Sequence, residues 1–115
     1  MTEQTDQKIL QIITSSLEDM KAEDVITIDL AGKTSIASYM VVASGNSNRH
    51  VASIAQKIEE NLKAAGHRCT MEGELKADWV LIDAFDVIVH IFRPEVREFY
   101  NLEKMWQSAA NLRKE

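Results

Sequence analysis

Two neighbouring apolar segments constrain the fold of this chain more than any other feature. Residues 79–83 and 86–92 are rich in Val and Ile, and only Ala84 and Phe85 separate them. Short β-branched segments joined in this way predict a β-hairpin with a two-residue loop.

A loop at Ala84-Phe85 also fixes which residues lie opposite each other. The predicted pairs are Asp83 with Asp86, Ile82 with Val87, Leu81 with Ile88, Val80 with Val89 and Trp79 with His90. Because side chains alternate between the faces of a sheet, one face of the hairpin is purely aliphatic. The other face carries a mixed set: Trp79, Leu81, Ile88, His90, Asp83 and Asp86. The aliphatic face is expected beneath packed helices, and the mixed face is expected to be only partly covered.

The first part of the chain predicts a helix followed by two strands. Apolar residues recur at helical spacing over residues 5–21, which Thr5 or Asp6 can cap. Residues 24–30 alternate apolar and polar side chains, which is typical of a strand, and residues 31–35 break the pattern. Residues 39–43 predict a second strand, and the short connection indicates that it runs antiparallel to the first.

A tight turn at residues 44–47 predicts the start of a second helix, for which Ser47 or Asn46 can act as N-cap. The apolar stripe of that helix is Val51, Ile54, Ala55, Ile58 and Leu62. Gly66 occupies a position typical of a helix end, and residues 67–72 are expected to form a third strand. Pro94 opens a C-terminal helical region. Its apolar face consists of Phe99, Leu102, Met105, Trp106 and Ala109.

These elements predict an α/β fold in a single domain that spans residues 1–115. A chain of 115 residues is long enough for one core. With helices mainly on one face of a mixed sheet of about five strands, the other face stays open. An open face that bears Trp79 and Leu81 is a candidate docking surface. A second copy of the chain could also pair with it, as a homodimer.

The charge balance limits the classes of partner. The formal net charge is −5 and the isoelectric point is near 5.2. Such a chain is a poor binder of bare nucleic acid, because Lys and Arg supply most of the affinity for phosphates. An acidic surface suits a basic protein partner, although solubility alone also explains it.

The same composition predicts a cytoplasmic location. No apolar run approaches the ~20 residues that a membrane span needs. Residues 1–8 lack the basic and then apolar pattern of a signal peptide, and Cys69 is the one cysteine of the chain.

Three segments resemble the bacterial ribosomal silencing factors, the RsfS or Iojap family. The first comprises residues 39–45 with Ser47, Arg49 and His50. The second comprises Glu72, Gly73 and the two hairpin segments, and the third comprises Arg97, residues 100–103 and Trp106. The likeness covers nearly the whole chain in the family's order. The chain departs from it at Ser38, at His50 and at Ala84-Phe85, where the family has Asp, Gln and Tyr-Gly.

The resemblance implies a fold like that of nucleotidyltransferases without their chemistry. It also implies binding to the large ribosomal subunit, at the protein numbered fourteen in that subunit's series. A factor bound there blocks joining of the small subunit and lowers translation when nutrients are scarce. The same docking would serve a factor for assembly of the large subunit, and the sequence leaves both roles open.

The residues argue against catalysis. Nucleotidyltransferases follow their Gly-Ser turn with an Asp-x-Asp pair for two metal ions, and no such pair follows residues 44–47. His50, His67 and His90 lack the spacing of a metal site, and no base is paired with Cys69. We therefore expect no catalytic residue, no metal and no cofactor.

The expected binding site is the mixed face of the hairpin. Trp79, Leu81, Ile88 and His90 form its contact surface, and Glu72, Asp83 and Asp86 form its acidic rim. Trp79 is either an interface anchor or a core residue, and its pairing with His90 favours the interface. Glu72 and Glu74 steer a basic partner or lie in a solvated loop, and Arg49 contacts the partner or braces the turn before it.

Overall fold

A computed structural model describes residues 2–30, 37–73 and 76–96. Its elements are α1 (Thr2–Asp19), β1 (Glu23–Asp29), β2 (Tyr39–Ser44), α2 (Asn48–Ala64), β3 (Thr70–Glu72), β4 (Trp79–Asp83) and β5 (Val87–Phe92). Every helix and strand that the sequence predicts within these ranges is present. The third strand is shorter than expected, because it begins at Thr70 and not at His67. Neither helix is long and apolar enough to cross a membrane within the part of the chain that is described.

The five strands form one mixed sheet in the order β1-β2-β5-β4-β3. β1 and β2 are antiparallel, as their short connection predicts, and so are the β4–β5 and β3–β4 pairs. β2 and β5, at the centre, are parallel. This arrangement confirms a small α/β domain with a mixed five-stranded sheet.

α1 and α2 pack on the same face of the sheet, over its aliphatic side chains. The predicted stripe of α2 is buried there, together with Ile9, Ile13 and Leu17 of α1. The amide of Asn61 on α2 donates to the hydroxyl of Ser16 on α1 at 2.8 Å, so the polar pair at this helix contact is satisfied. Burial of the periodic apolar residues holds both helices to the sheet.

The turn before α2 positions the helix tightly against β2. The hydroxyl of Ser47 accepts the N–H of His50 at 3.0 Å, which confirms Ser47 as the N-cap. A Cβ on Gly45 would lie 2.8 Å from Cγ2 of Val51, so no side chain fits there. His50 braces the same region, since its Nδ1 accepts the N–H of Asn46 at 2.9 Å and its Nε2 lies 2.8 Å from the carbonyl oxygen of Met20.

β4 and β5 form the predicted hairpin, but the predicted pairs are wrong. The observed pairs are Trp79 with Phe92, Val80 with Ile91, Leu81 with His90, Ile82 with Val89 and Asp83 with Ile88. Asp83 therefore does not face Asp86, and Trp79 does not lie directly opposite His90.

The cause is a loop displaced by one residue. Ala84 is fully buried in the helix-side core, and its N–H donates to the carbonyl of Val87 at 2.9 Å, so it continues the hairpin pairing one residue beyond β4. The loop is consequently Phe85-Asp86, and every pair moves by two residues. A shift of two keeps each side chain on its own face, so the predicted sorting into an aliphatic and a mixed face is confirmed.

Several predictions concern residues outside the described ranges. These are the break at residues 31–35, Glu74, the third segment of the family resemblance, and the C-terminal helical region beyond Val96. The segment from Pro94 to Val96 is helical, as expected from Pro94.

Candidate partner-binding face

The face of the sheet that lies away from α1 and α2 brings together six of the seven predicted site residues. We call it the hairpin face, and it comprises Glu72, Trp79, Leu81, Asp83, Ile88, His90 and, in addition, Phe92. One row runs straight across three strands, because Glu72 pairs with Leu81 and Leu81 pairs with His90. Strand alternation and pairing together thus assemble a continuous surface from three separate segments.

Three rings form the centre of the hairpin face. The rings of Trp79 and Phe92 stack with centroids 4.9 Å apart, and those of His90 and Phe92 stack at 5.9 Å. The centroids of Trp79 and His90 are 5.8 Å apart with tilted planes. Phe92 is fully buried, so it supports the two other rings from within the domain.

Phe92 was absent from the predicted site because the predicted register placed His90 opposite Trp79. In the observed register Phe92 lies opposite Trp79, and His90 lies on the diagonal. The alternation of β5 already puts Phe92 on the same face as Ile88 and His90, and that signal identifies it as a member of the face.

A hydrogen bond fixes the orientation of the Trp79 indole. Its Nε1–H donates to Nδ1 of His90 at 3.0 Å. The imidazole therefore carries its proton on Nε2 when it is neutral. His90 is only 7% exposed, and this burial lowers its pKa to about 4. At neutral pH the ring is an uncharged acceptor that holds Trp79 in place.

The four residues that are predicted to form the contact surface are accessible to different degrees. Trp79, Leu81 and Ile88 are half-buried, whereas His90 is buried. Trp79 and Ile88 also pack against a second cluster of buried residues, which includes Met40, Val42 and Phe92. Trp79 therefore contacts the core and also keeps an accessible edge, while its role as an interface anchor stays a prediction.

The acidic residues of the predicted rim differ in position. Glu72 and Asp83 are exposed on neighbouring strands. Oδ1 of Asp83 accepts the N–H of Phe85 at 2.8 Å and so stabilises the loop. Asp86 lies in the loop, where its backbone carbonyl accepts the N–H groups of Ser38 and Tyr39 at 2.7 and 3.2 Å. Asp86 therefore joins the hairpin to β2.

Gly73 shapes the edge of the hairpin face beside Glu72. Its φ is +89°, in the left-handed region that favours glycine, and a Cβ there would lie 2.3 Å from the carbonyl oxygen of Trp79. The chain can pass this close to Trp79 only without a side chain.

The turn that resembles a phosphate-binding loop is a packing element. Ser44 is only 1% exposed, and Gly45 lies against Val51. In residues 2–30, 37–73 and 76–96, no three His, Cys, Asp or Glu side chains lie close enough together to hold a metal ion. On the hairpin face the described geometry presents an oriented indole, half-buried aliphatic neighbours and exposed flanking carboxylates.

The chain is similar to known proteins in both sequence and structure. Residues 3–115 match the family described as ribosomal silencing factor during starvation. A ribosomal silencing factor of Zymomonas mobilis is 57% identical over 99 residues, which cover 85% of this chain and 74% of the relative. A crystal structure of a Chromobacterium violaceum protein is similar with a TM-score of 0.85 and 40% identity, over 88% of this chain and 85% of the other.

A more distant relative is a mouse protein named mitochondrial assembly of ribosomal large subunit protein 1. It is 30% identical over 101 residues, which cover 84% of this chain but only 44% of the mouse protein.

Proposed function

The chain belongs to the ribosomal silencing factor family, and from that premise we propose that it binds the large ribosomal subunit and blocks subunit joining. The contact is the subunit's protein numbered fourteen, and the result is lower translation when nutrients are limiting. The protein acts in the cytoplasm, by occupying a surface and not by catalysis. The observation that carries the proposal is the family match over residues 3–115.

We place the contact on the hairpin face, with Trp79 as the anchor. Tryptophan is enriched among the residues that dominate binding energy, and such residues are most effective when their orientation is fixed before binding. Trp79 meets this condition, because Phe92 stacks on it and His90 accepts its N–H. Leu81 and Ile88 extend the apolar contact, and the buried His90 acts through Trp79.

The exposed carboxylates on the hairpin face favour a basic partner. Glu72 and Asp83 flank Leu81 on neighbouring strands, in a chain of net charge −5. Negative charge at the rim of an interface mainly accelerates association with a basic surface and suppresses wrong partners. Proteins that sit among ribosomal RNA phosphates are expected to be basic.

The anchor is tested by Trp79→Ala, with binding to purified large subunits measured by co-sedimentation. Loss of an anchor of this kind costs at least about 2 kcal/mol, so we expect the dissociation constant to rise roughly 30-fold. Val25→Ala is the control, because Val25 is 41% exposed on β1, at the other edge of the sheet. Circular dichroism verifies that both variants stay folded.

Trp79→Phe separates an effect on the fold from an effect on binding. Phenylalanine keeps an aromatic ring against Phe92 but cannot donate to His90. We expect it to restore part of the affinity that Trp79→Ala loses. A folded Trp79→Ala protein with wild-type sedimentation contradicts the placement of the site, while family membership stands.

The rim is tested by removing its charge without removing its hydrogen-bond acceptors. Glu72→Gln with Asp83→Asn keeps an oxygen for the N–H of Phe85 and deletes two charges. We expect slower association, by about tenfold at low salt, and a weaker dependence of the rate on salt. Glu18→Gln with Asp19→Asn makes the same chemical change at exposed positions of α1 and should leave the rate unchanged.

The name of the mouse relative favours one further role, in assembly of the large subunit. The same face would then bind a precursor particle and not the mature subunit. The two roles are separated by a deletion strain: accumulation of large-subunit precursors indicates assembly, whereas normal particles with excessive subunit joining during starvation indicate silencing.

A homodimer through the hairpin face would compete with ribosome binding, because both use Trp79 and Leu81. Analytical ultracentrifugation tests this directly. Self-association that Leu81→Glu abolishes supports a shared surface, whereas a dimer that survives Leu81→Glu must use another surface.

A further inference from the structure

We propose that a cavity between the end of α2 and the tip of the β4–β5 hairpin binds a small aromatic anion. The cavity has a volume of about 330 Å³, within the range of small-molecule sites in proteins. It lies outside the hairpin face and is independent of the ribosomal role proposed above. Its lining includes Lys63, His67, Arg68, Cys69 and Phe85.

The charge of the cavity is opposite in sign to that of the whole chain. Among the described residues of the lining, Lys63 and Arg68 provide two cations and Glu59 provides the one carboxylate. In the described ranges both ion pairs belong to Arg93, so neither Lys63 nor Arg68 is engaged in one. In a chain of net charge −5 this is a local concentration of positive charge, and it attracts anions.

The helix end does not require these cations. Cationic side chains near a helix C-terminus often serve its unpaired carbonyl groups. Here the backbone does so, because Ala65 N–H donates to the carbonyl of Asn61, Gly66 N–H to that of Lys63, and His67 N–H to that of Leu62. The side chain of Lys63 is therefore available to a ligand.

Phe85 supplies an aromatic surface to the lining of the cavity. It is 63% exposed and its φ is +71°, a left-handed conformation that strains a bulky residue and that glycine adopts readily. Because the ring is exposed, burial of its apolar surface does not compensate for this backbone strain. The N–H of Phe85 is held by Asp83, so its backbone is fixed although its ring lies in solvent. Residues held in strained backbone conformations cluster at functional sites.

These groups define the chemistry of the ligand. A flat aromatic body can stack on Phe85 while a carboxylate or phosphate reaches Lys63 and Arg68. The cavity volume limits the ligand to about the size of a nucleoside monophosphate or an aromatic acid. Glu59 disfavours more highly charged anions.

The thiol of Cys69 allows the cavity to be tested in the intact protein. Cys69 is the one cysteine of the chain, it is partly exposed, and it lines the cavity. Its thiolate attacks one sulfur of an aromatic disulfide and forms a mixed disulfide, while the other half leaves as a thiolate or a thiopyridone whose absorbance measures the rate. We compare Ellman's reagent, an aromatic dianion, with 4,4′-dithiodipyridine, which is neutral. Burial and Glu59 raise the pKa of the Cys69 thiol. The raised pKa slows the reaction with both reagents alike, so the ratio of the two rates measures the attraction of the anionic reagent.

Lys63→Gln with Arg68→Gln should lower the ratio of the two rates about fivefold, as expected for two charges near the surface. Lys8→Gln with Lys76→Gln makes the same change at exposed positions outside the cavity and should leave the ratio unchanged. Equal ratios in the two double variants overturn the proposal.

Protection identifies the source of the anion. Salicylate and adenosine monophosphate, at constant ionic strength, should each slow labelling by the neutral reagent if they occupy the cavity. Protection by either supports the proposal, and the stronger protector defines the class as aryl carboxylate or nucleotide. Phe85→Gly should abolish protection without loss of stability. Failure of both ligands to protect, or equal protection by adenosine, overturns it.

Discussion

The burial of His90 predicts how the stability of the protein depends on pH. In the folded state its pKa is lowered from 6.5 to about 4 by burial, and Nδ1 accepts the indole N–H of Trp79. In the unfolded chain the ring regains its ordinary pKa. The unfolded state therefore binds more protons than the folded state between these values, and stability rises with pH there. The contribution is fully present above pH 6.5 and is lost as the pH falls towards 4.

The size of the effect follows from the two pKa values. One bound proton changes the free energy of unfolding by ~1.4 kcal/mol per pH unit. Between pH 7.5 and pH 5 the His90 contribution therefore falls by about 2 kcal/mol, a large fraction of the stability of a typical small domain.

His90→Asn isolates this contribution, because the asparagine amide oxygen can accept the Trp79 N–H but does not titrate. Urea unfolding, followed by circular dichroism at several pH values, measures the free energy of unfolding of both proteins. We expect the wild type to lose about 2 kcal/mol more than the variant between pH 7.5 and pH 5. His67→Asn is the matched control for the same chemical change outside the hairpin face. Parallel curves for wild type and His90→Asn refute the assignment of a buried neutral imidazole.

Three further predictions concern the elements that position the hairpin face. Ser47→Ala removes the N-cap of α2 and should lower the free energy of unfolding by about 1 kcal/mol in urea titrations. Gly73→Ala should lower the free energy of unfolding by more than about 2 kcal/mol, because backbone strain is added to a clash with the Trp79 carbonyl. Gly66→Ala should lower it by only ~1 kcal/mol, because Gly66 has a similar φ of +85° but open space around it. Equal losses of stability in the two variants contradict the close approach at Gly73. Ser16→Ala leaves the Asn61 amide without its acceptor and should cost ~1–3 kcal/mol, as thermal unfolding would measure.

Local patterns in the sequence predict the strands and the sorting of their faces. Alternation along residues 79–83 and 87–92 assigns Trp79, Ile88 and His90 to one face in both the predicted and the observed register, because a shift of two residues preserves the sorting. The N-cap role of Ser47 can also be predicted from local sequence, because the cap residue and the helix that it caps are adjacent in the chain.

The pairing within the hairpin depends on information that is not local. Ala84 continues the hairpin pairing and is buried in the helix-side core, and a small residue between two apolar segments carries no sign of that burial. Because the loop is displaced, Phe92 and not His90 lies opposite Trp79. The parallel contact of β2 with β5 and the cavity beside Phe85 likewise depend on segments that only the folded chain brings together.

The central claim, that the chain binds the large ribosomal subunit and prevents joining, is tested most directly by one sucrose-gradient experiment. Purified small and large subunits are mixed under joining conditions with wild-type protein, with Trp79→Ala and with no added protein. We predict that the wild type sediments with the large subunit and reduces the joined particle, and that Trp79→Ala does neither. Wild-type protein that stays at the top of the gradient while joining proceeds unchanged contradicts the proposed function.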